Sequence, residues 1–341
     1  MKAISLIYFE VYHSLHLCFD RFQSMKSGYL FTIAIIVVMS FSCAQQEKRG
    51  VANPTADSLW QAPDTSAMPN HQVRYGRKLI ANTSYYLGPQ GTVAAISNGM
   101  NCQNCHLNAG TKPFANNFGS VASLYPKFRA RSGGLESVEK RINDCIQRSL
   151  NGQPLDSLSE EMRAMVTYIL WVGKDVAKGK KAEGSGLKDI AFLNRSADTL
   201  KGKIIYEKQC RVCHQKNGKG MPLGSGRGFA FPPLWGDKSF NTAAGLFRLS
   251  NFAKYVRANM PQGATYSQPI LTEEEAWDVA AYIISQPRPH KEFKNDWPKI
   301  ETKPFDHPFG PYADTLSEVE HKYGPWKEKL AGGSKQVAQA Y

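Results

Sequence analysis

Two five-residue runs carry the chemistry that can be read first: Cys102-Gln103-Asn104-Cys105-His106 and Cys210-Arg211-Val212-Cys213-His214. Cys-x-x-Cys-His is the spacing at which two thiols add across the vinyl groups of haem while the following histidine ligates the iron. Zinc could use the same cysteine pairs. The histidine directly after each pair, and the long gap between the pairs, fit covalently bound haem c better. The two runs therefore predict two haems, and each iron needs an account of its other face.

For the second run, Met260 lies downstream in Asn259-Met260-Pro261. A thioether opposite an imidazole raises the potential and suits electron transfer. Met221 follows His214 too closely for the chain to pass around a haem edge, and core filling is the plainer use of any methionine. The first run differs. Residues 107–158 hold no Met and no His, and one cysteine, Cys145. Of the seven cysteines, four belong to the runs and Cys18 and Cys43 lie near the N-terminus, so Cys145 has no disulfide partner. A distal thiolate ligand is the favoured reading. An inert buried thiol, or an open iron site beside it, are the alternatives.

The elements that must position these groups are helices. Over residues 136–150, Arg141, Cys145 and Ser149 recur at i, i+4 and i+8 on one face, beside an apolar stripe of Ile142, Ile146 and Leu150. Arg141 would favour the thiolate, and Arg131 can reach the same place from the preceding loop. Two guanidiniums beside a thiolate form a pocket for a small sulfur oxyanion; a solvated basic face is the plainer alternative. Around each run the pattern repeats: an opening helix near residues 75–80 and again after an N-cap at Asp198, then the motif, an irregular loop, and a closing helix. The first closing helix spans 159–172 through Met162, Met165, Val166, Ile169 and Leu170. The second starts at a Thr272–Glu275 capping box, buries a stripe of Val279, Ala280 and Ile283, and stops at Pro287.

The fold class is therefore all-α, with two tandem cytochrome c-like domains and an extended C-terminal tail. The expected boundaries are a presequence at 1–42, a flexible tether at 43–69, the first domain at 70–177, a linker at 178–197, the second domain at 198–288 and the tail at 289–341. Such small domains draw much of their core from the porphyrin. The chain of 341 residues carries a formal charge of +13, which attracts anions and acidic partners, while nucleic-acid motifs are lacking. Leu30–Phe41 is short for a membrane span and suits a signal-peptide core, ending in Ser40-Phe41-Ser42-Cys43, which resembles a lipoprotein cleavage site. Met25 would begin an ordinary signal peptide, and an uncleaved anchor is the alternative. The expected location is the periplasm, with membrane contact through the N-terminal lipid or anchor alone.

The segment Asn101–Thr111 resembles the first haem site of the dihaem thiosulfate dehydrogenases. Asn116, Phe118-Gly119, Tyr125-Pro126, Arg141-Ile142-Asn143 leading to Cys145, Phe231–Gly236, the Met260 segment and Tyr323-Gly324-Pro325 are similar too. The resemblance covers roughly residues 70–325. It implies coupling of two thiosulfates to tetrathionate, or the reverse, with a small cytochrome c or other periplasmic redox partner. It also implies roles: Cys145 as distal ligand and reactive sulfur, Arg131, Arg141 and Ser149 as oxyanion holders, and the second haem as electron exit. Asn259 departs from members with Lys before the distal Met, which favours plain His214/Met260 ligation. A pure electron carrier and a SoxA-type haem sulfurtransferase are the competing functions; the complete second domain argues against the latter.

Overall fold

The computed structural model describes residues 59–326. The presequence, the Leu30–Phe41 run and Cys43 lie outside them. Seven helices organise the described chain: α1 (His71–Ala81), α2 (Val138–Arg148), α3 (Glu160–Val172), α4 (Thr199–Ile205), α5 (Leu249–Asn259), α6 (Glu273–Ser285) and α7 (Glu318–Tyr323), with shorter helical turns between them.

Apart from α5, whose start carries no side-chain cap, the helix starts have a local cause. The side chains of Asn70, Ser137, Ser159 and Asp198 accept backbone N–H groups of the first turns of α1, α2, α3 and α4. Thr272 and Glu275 form the reciprocal box that opens α6. The last turn of α6 ends at Ser285, and Gln286 is already extended, as the residue before a proline must be.

The opening helix of each module crosses its closing helix: α1 on α3, and α4 on α6. One glycine makes each crossing possible. A Cβ on Gly76 would run into the carbonyl oxygen of Ala164, and a Cβ on Gly202 into that of Asp278. Gly202→Ala is expected to destabilise the protein by ~1–3 kcal/mol despite its better helix propensity, because the two backbones must separate. A thermal melt checks this; an unchanged or raised Tm would mean the crossing can relax. The closing helices supply the core through Met162, Met165, Tyr168 and Val172 on α3, and through Trp277, Val279, Ala280 and Ile283 on α6, all buried. Tyr168 donates its hydroxyl to the Ala109 carbonyl at 2.9 Å, and Tyr206 donates to Gln215 O at 2.6 Å, tying each core to its motif loop.

The fold is not purely helical. Strand β1 (Lys127–Arg129) pairs antiparallel with β2 (Gly134–Glu136), and β3 (Met221–Pro222) with β4 (Phe229–Phe231). Two or three residues are too few to express a period of two, so in sequence the first hairpin reads as loop. Its β2 also takes Glu136 from the expected helix, which begins at Val138 after the Ser137 cap. The end of the expected tether is docked rather than flexible. Leu59 is buried with Phe114 and Ala258, and Trp60 N–H donates to Glu183 O at 3.1 Å, because apolar side chains there have a surface to cover.

Contacts also cross between modules. Tyr255 on α5 donates to the carbonyl of Asn104, inside the first motif, at 2.8 Å, and Asn259 Nδ2 donates to Phe114 O at 3.1 Å. The segment after Pro289 bonds to both modules. Trp297 N–H donates to Arg131 O at 2.7 Å, while Ala197 N–H donates to Tyr323 O at 2.9 Å. Asp306 is fully buried against Arg248 and Ser250.

Candidate active site

The cavity that matters is about 330 Å³ and lies between the first motif, α2 and the first hairpin. His106, Arg131, Arg141, Cys145 and Ser149 all line it. The helix geometry explains the last three. The Ser137 cap and the buried Ile142 and Ile146 fix the rotation of α2, so Arg141 and Cys145 share the cavity face. Ser149 closes the helix as its C-cap, its N–H donating to Cys145 O at 2.8 Å. Arg131 arrives on the turn between β1 and β2, which Gly133 closes with a φ of 66°.

Both motif histidines are prepared as metal ligands. His106 Nδ1 donates to Asn116 O at 2.5 Å and His214 Nδ1 to Pro232 O at 2.8 Å. A carbonyl can only accept, so in each ring Nε2 is left with its lone pair. His106 and Cys145 face one another closely enough to hydrogen-bond. An imidazole and a thiol so presented, beside the free thiols of Cys102 and Cys105, form a donor set that fits a covalently attached haem. Cys210 and Cys213 are likewise free beside His214. Met260 ends α5, half-buried, with its N–H donating to Val256 O at 2.8 Å. Asn259, the residue before it, is committed to the Phe114 and Tyr255 carbonyls.

Charge is concentrated on the cavity. Burial alone would raise the Cys145 thiol, but the Arg141 guanidinium beside it, with His106 nearby, outweighs that and brings the group to about 7. The Cys145 thiolate in turn raises Arg141. Burial, with Arg148 and Arg141 repulsion behind it, pushes Arg131 down to about 9. The nearby carboxylates are already engaged by other cations. Lys140 holds Glu136 and Asp144 at 3.2 Å, and Arg148 holds Asp296 at 2.6 Å.

Arg129, Lys181 and Trp297 are among the lining residues that escape a reading of the sequence. Arg129 stands two positions before Arg131 on β1, and Lys181 follows the first module; charge alone could have signalled either. Trp297 carries no such signal. It comes from far along the chain, with Arg131 over its ring at 5.5 Å and its indole Nε1 buried without a partner.

Comparison with known proteins agrees with this geometry. Residues 92–177 match the family model described as SoxA/TsdA, cytochrome c domain, and residues 199–287 match the cytochrome c model. The two modules are thus tandem cytochrome c domains, a family whose membership implies haem c binding. A thiosulfate dehydrogenase of Psychrobacter arcticus is 36% identical over 241 residues, covering 69% of this chain and 71% of that protein. One of Stutzerimonas stutzeri is 31% identical over 261 residues, covering 75% and 82%. A solved thiosulfate dehydrogenase (TsdBA) of Marichromatium purpuratum superposes with a TM-score of 0.63 at 29% identity. That match covers 69% of this chain and 50% of the longer solved chain.

Proposed function

Because the chain belongs to the thiosulfate dehydrogenase family, we propose that it joins two thiosulfates into tetrathionate at the cavity of the first module. Haem c, when bound, supplies a one-electron redox centre to each module. Cys102, Cys105, His106 and Cys145 would hold the first; Cys210, Cys213, His214 and Met260 would hold the second. The observation that carries the reading is a cavity lined by the Cys145 thiol together with Arg129, Arg131 and Arg141, none of which, among the described residues, pairs with a carboxylate.

Thiosulfate is a dianion, and bringing two together is opposed by their charge. Guanidiniums not paired to a carboxylate offset that repulsion and grip sulfonate oxygens in a fork. The Cys145 thiolate forms a bond to the outer sulfur of one thiosulfate, giving a Cys–S–S–SO3⁻ adduct with loss of two electrons. The outer sulfur of a second thiosulfate then attacks the adduct's thiosulfate-derived sulfur. The Cys145–sulfur bond breaks, tetrathionate forms and the thiolate returns. Ser149, one turn from Cys145, can donate to a sulfonate oxygen throughout. By reversal of each step, the same residues cleave tetrathionate when electrons are supplied. The electrons leave by way of the second module to a small cytochrome c or similar carrier, in a periplasmic, N-terminally anchored protein.

The test is stoichiometry. The haem-loaded protein should reduce one ferricyanide per thiosulfate and yield tetrathionate by ion chromatography. Sulfite or sulfate as product, or no turnover in either direction, would overturn the proposal.

A further inference from the structure

The internal duplication offers its own control for locating a docking surface. Gly76 and Gly202 make the same helix crossing, so the two opening helices can be aligned on them. Arg74 then corresponds to Leu200, and Lys78 to Ile204. Both positions face outward in both modules, but the first module fills them with cations and the second with aliphatic side chains. Leu200 and Ile204 are 76% and 69% exposed, and one turn apart on α4. The helical path continues without a break through Tyr206–Cys210 to Arg211–His214. Val212 on that last turn is 75% exposed.

The motifs differ in the same sense. In the first, the residue before the second cysteine is Asn104, whose carbonyl is capped by Tyr255 from α5. In the second it is Val212, open to solvent between the two cysteines that would bear the porphyrin. Apolar groups left out on a helix that packs well elsewhere mark a contact surface. Its rim is basic. Lys201, Lys203, Lys208, Arg211, Lys216 and Lys219 are all exposed, and the one carboxylate over residues 199–220, Glu207, is held by Arg211 at 2.8 Å.

We propose that the face formed by Leu200, Ile204 and Val212, with its lysine rim, docks an acidic redox protein that exchanges electrons with the second module. The apolar centre would exclude water at the contact, and the lysines would steer an acidic partner to it. The partner chemistry is set by the charge imbalance: a basic partner would be repelled by the lysines and would find one glutamate, already compensated. The inference rests on electron exit through the second module, and it can be tested without the sulfur chemistry.

The experiment uses haem-loaded protein reduced by dithionite, then mixed by stopped flow with an oxidised acidic monohaem cytochrome c, and in parallel with a basic one. The acidic cytochrome should be reduced faster, with a rate that falls steeply as salt is added. Two double variants, Lys201→Glu with Lys203→Glu and Leu200→Ser with Ile204→Ser, should each slow it by about tenfold. The haem spectrum and melting temperature should stay unchanged. Arg74→Glu with Lys78→Glu, the matching positions of the first module, should leave the rate alone. The proposal fails if the α4 variants react at the wild-type rate, if the first-module pair slows transfer equally, or if the basic cytochrome reacts as fast as the acidic one. It also fails if sedimentation finds a dimer that Leu200→Ser with Ile204→Ser splits, since a second copy would then be the occupant.

Discussion

Cys145→Gly is expected to keep its haem content and lose thiosulfate oxidation, by at least about a thousandfold in kcat. The helix survives because Cys145 does not hold it. The Ser137 cap and buried Ile142, Ile146 and Val138 fix α2, and a glycine within it costs about 1 kcal/mol. What disappears is the one group able to bond to the first thiosulfate and leave again. Cys145→Ser serves as a second variant, keeping size and helix propensity while removing the thiolate. Both should also change the optical spectrum of the first haem and leave that of the second as it was. Turnover near the wild-type rate in either variant would sink Cys145 as the reacting sulfur. A spectrum unchanged in both would remove it as a ligand.

Arg141→Gln should lower kcat/KM for thiosulfate by about 10²–10³-fold, the scale seen when a preorganised donor to developing or gathered negative charge is lost. Arg141 is on the same helix face as Cys145; it favours the thiolate and lines the cavity proposed to receive the dianions. Arg141→Lys should recover only part of the loss, because a point charge replaces a fork that can hold two sulfonate oxygens. Steady-state kinetics across thiosulfate concentration separate the two effects. A rise in KM with kcat intact would assign Arg141 to binding alone. An unchanged kcat/KM would mean that Arg129 and Arg131 suffice.

Much of this site is legible in the order of the residues. Motif spacing identifies His106 and His214, elimination singles out Cys145, and helical period puts Arg141 and Ser149 beside it. His106, Arg141, Cys145 and Ser149 meet at one cavity because motif spacing and helix geometry are local, encoded within a few residues. The hairpin is not legible, since strands of two or three residues leave no periodic trace. Arg131 can be suspected from its loop, yet its partner in the wall, Trp297, cannot. Nothing near residue 297 signals that its N–H and ring will meet residue 131; that pairing exists only once both modules have folded. The paired glycines at 76 and 202 are similar: their meaning depends on a carbonyl far along the chain, on the closing helix of the same module.

The ion pair between Arg148 and Asp296 bears on how far this chain can be divided. Arg148 rises from the same helix as Cys145 and grips Asp296 with two hydrogen bonds, at 2.6 and 2.8 Å, beside the Phe293 ring. Trp297, the next residue, walls the cavity. The sequence boundaries of the first domain therefore do not enclose the whole lining of this cavity. A fragment ending before the second domain would own Cys145, the arginines and His106, but its pocket would stand open on one side. Recombination of such domains can transplant a haem carrier freely; transplanting this reaction requires the distant stretch of chain that closes the room in which it occurs.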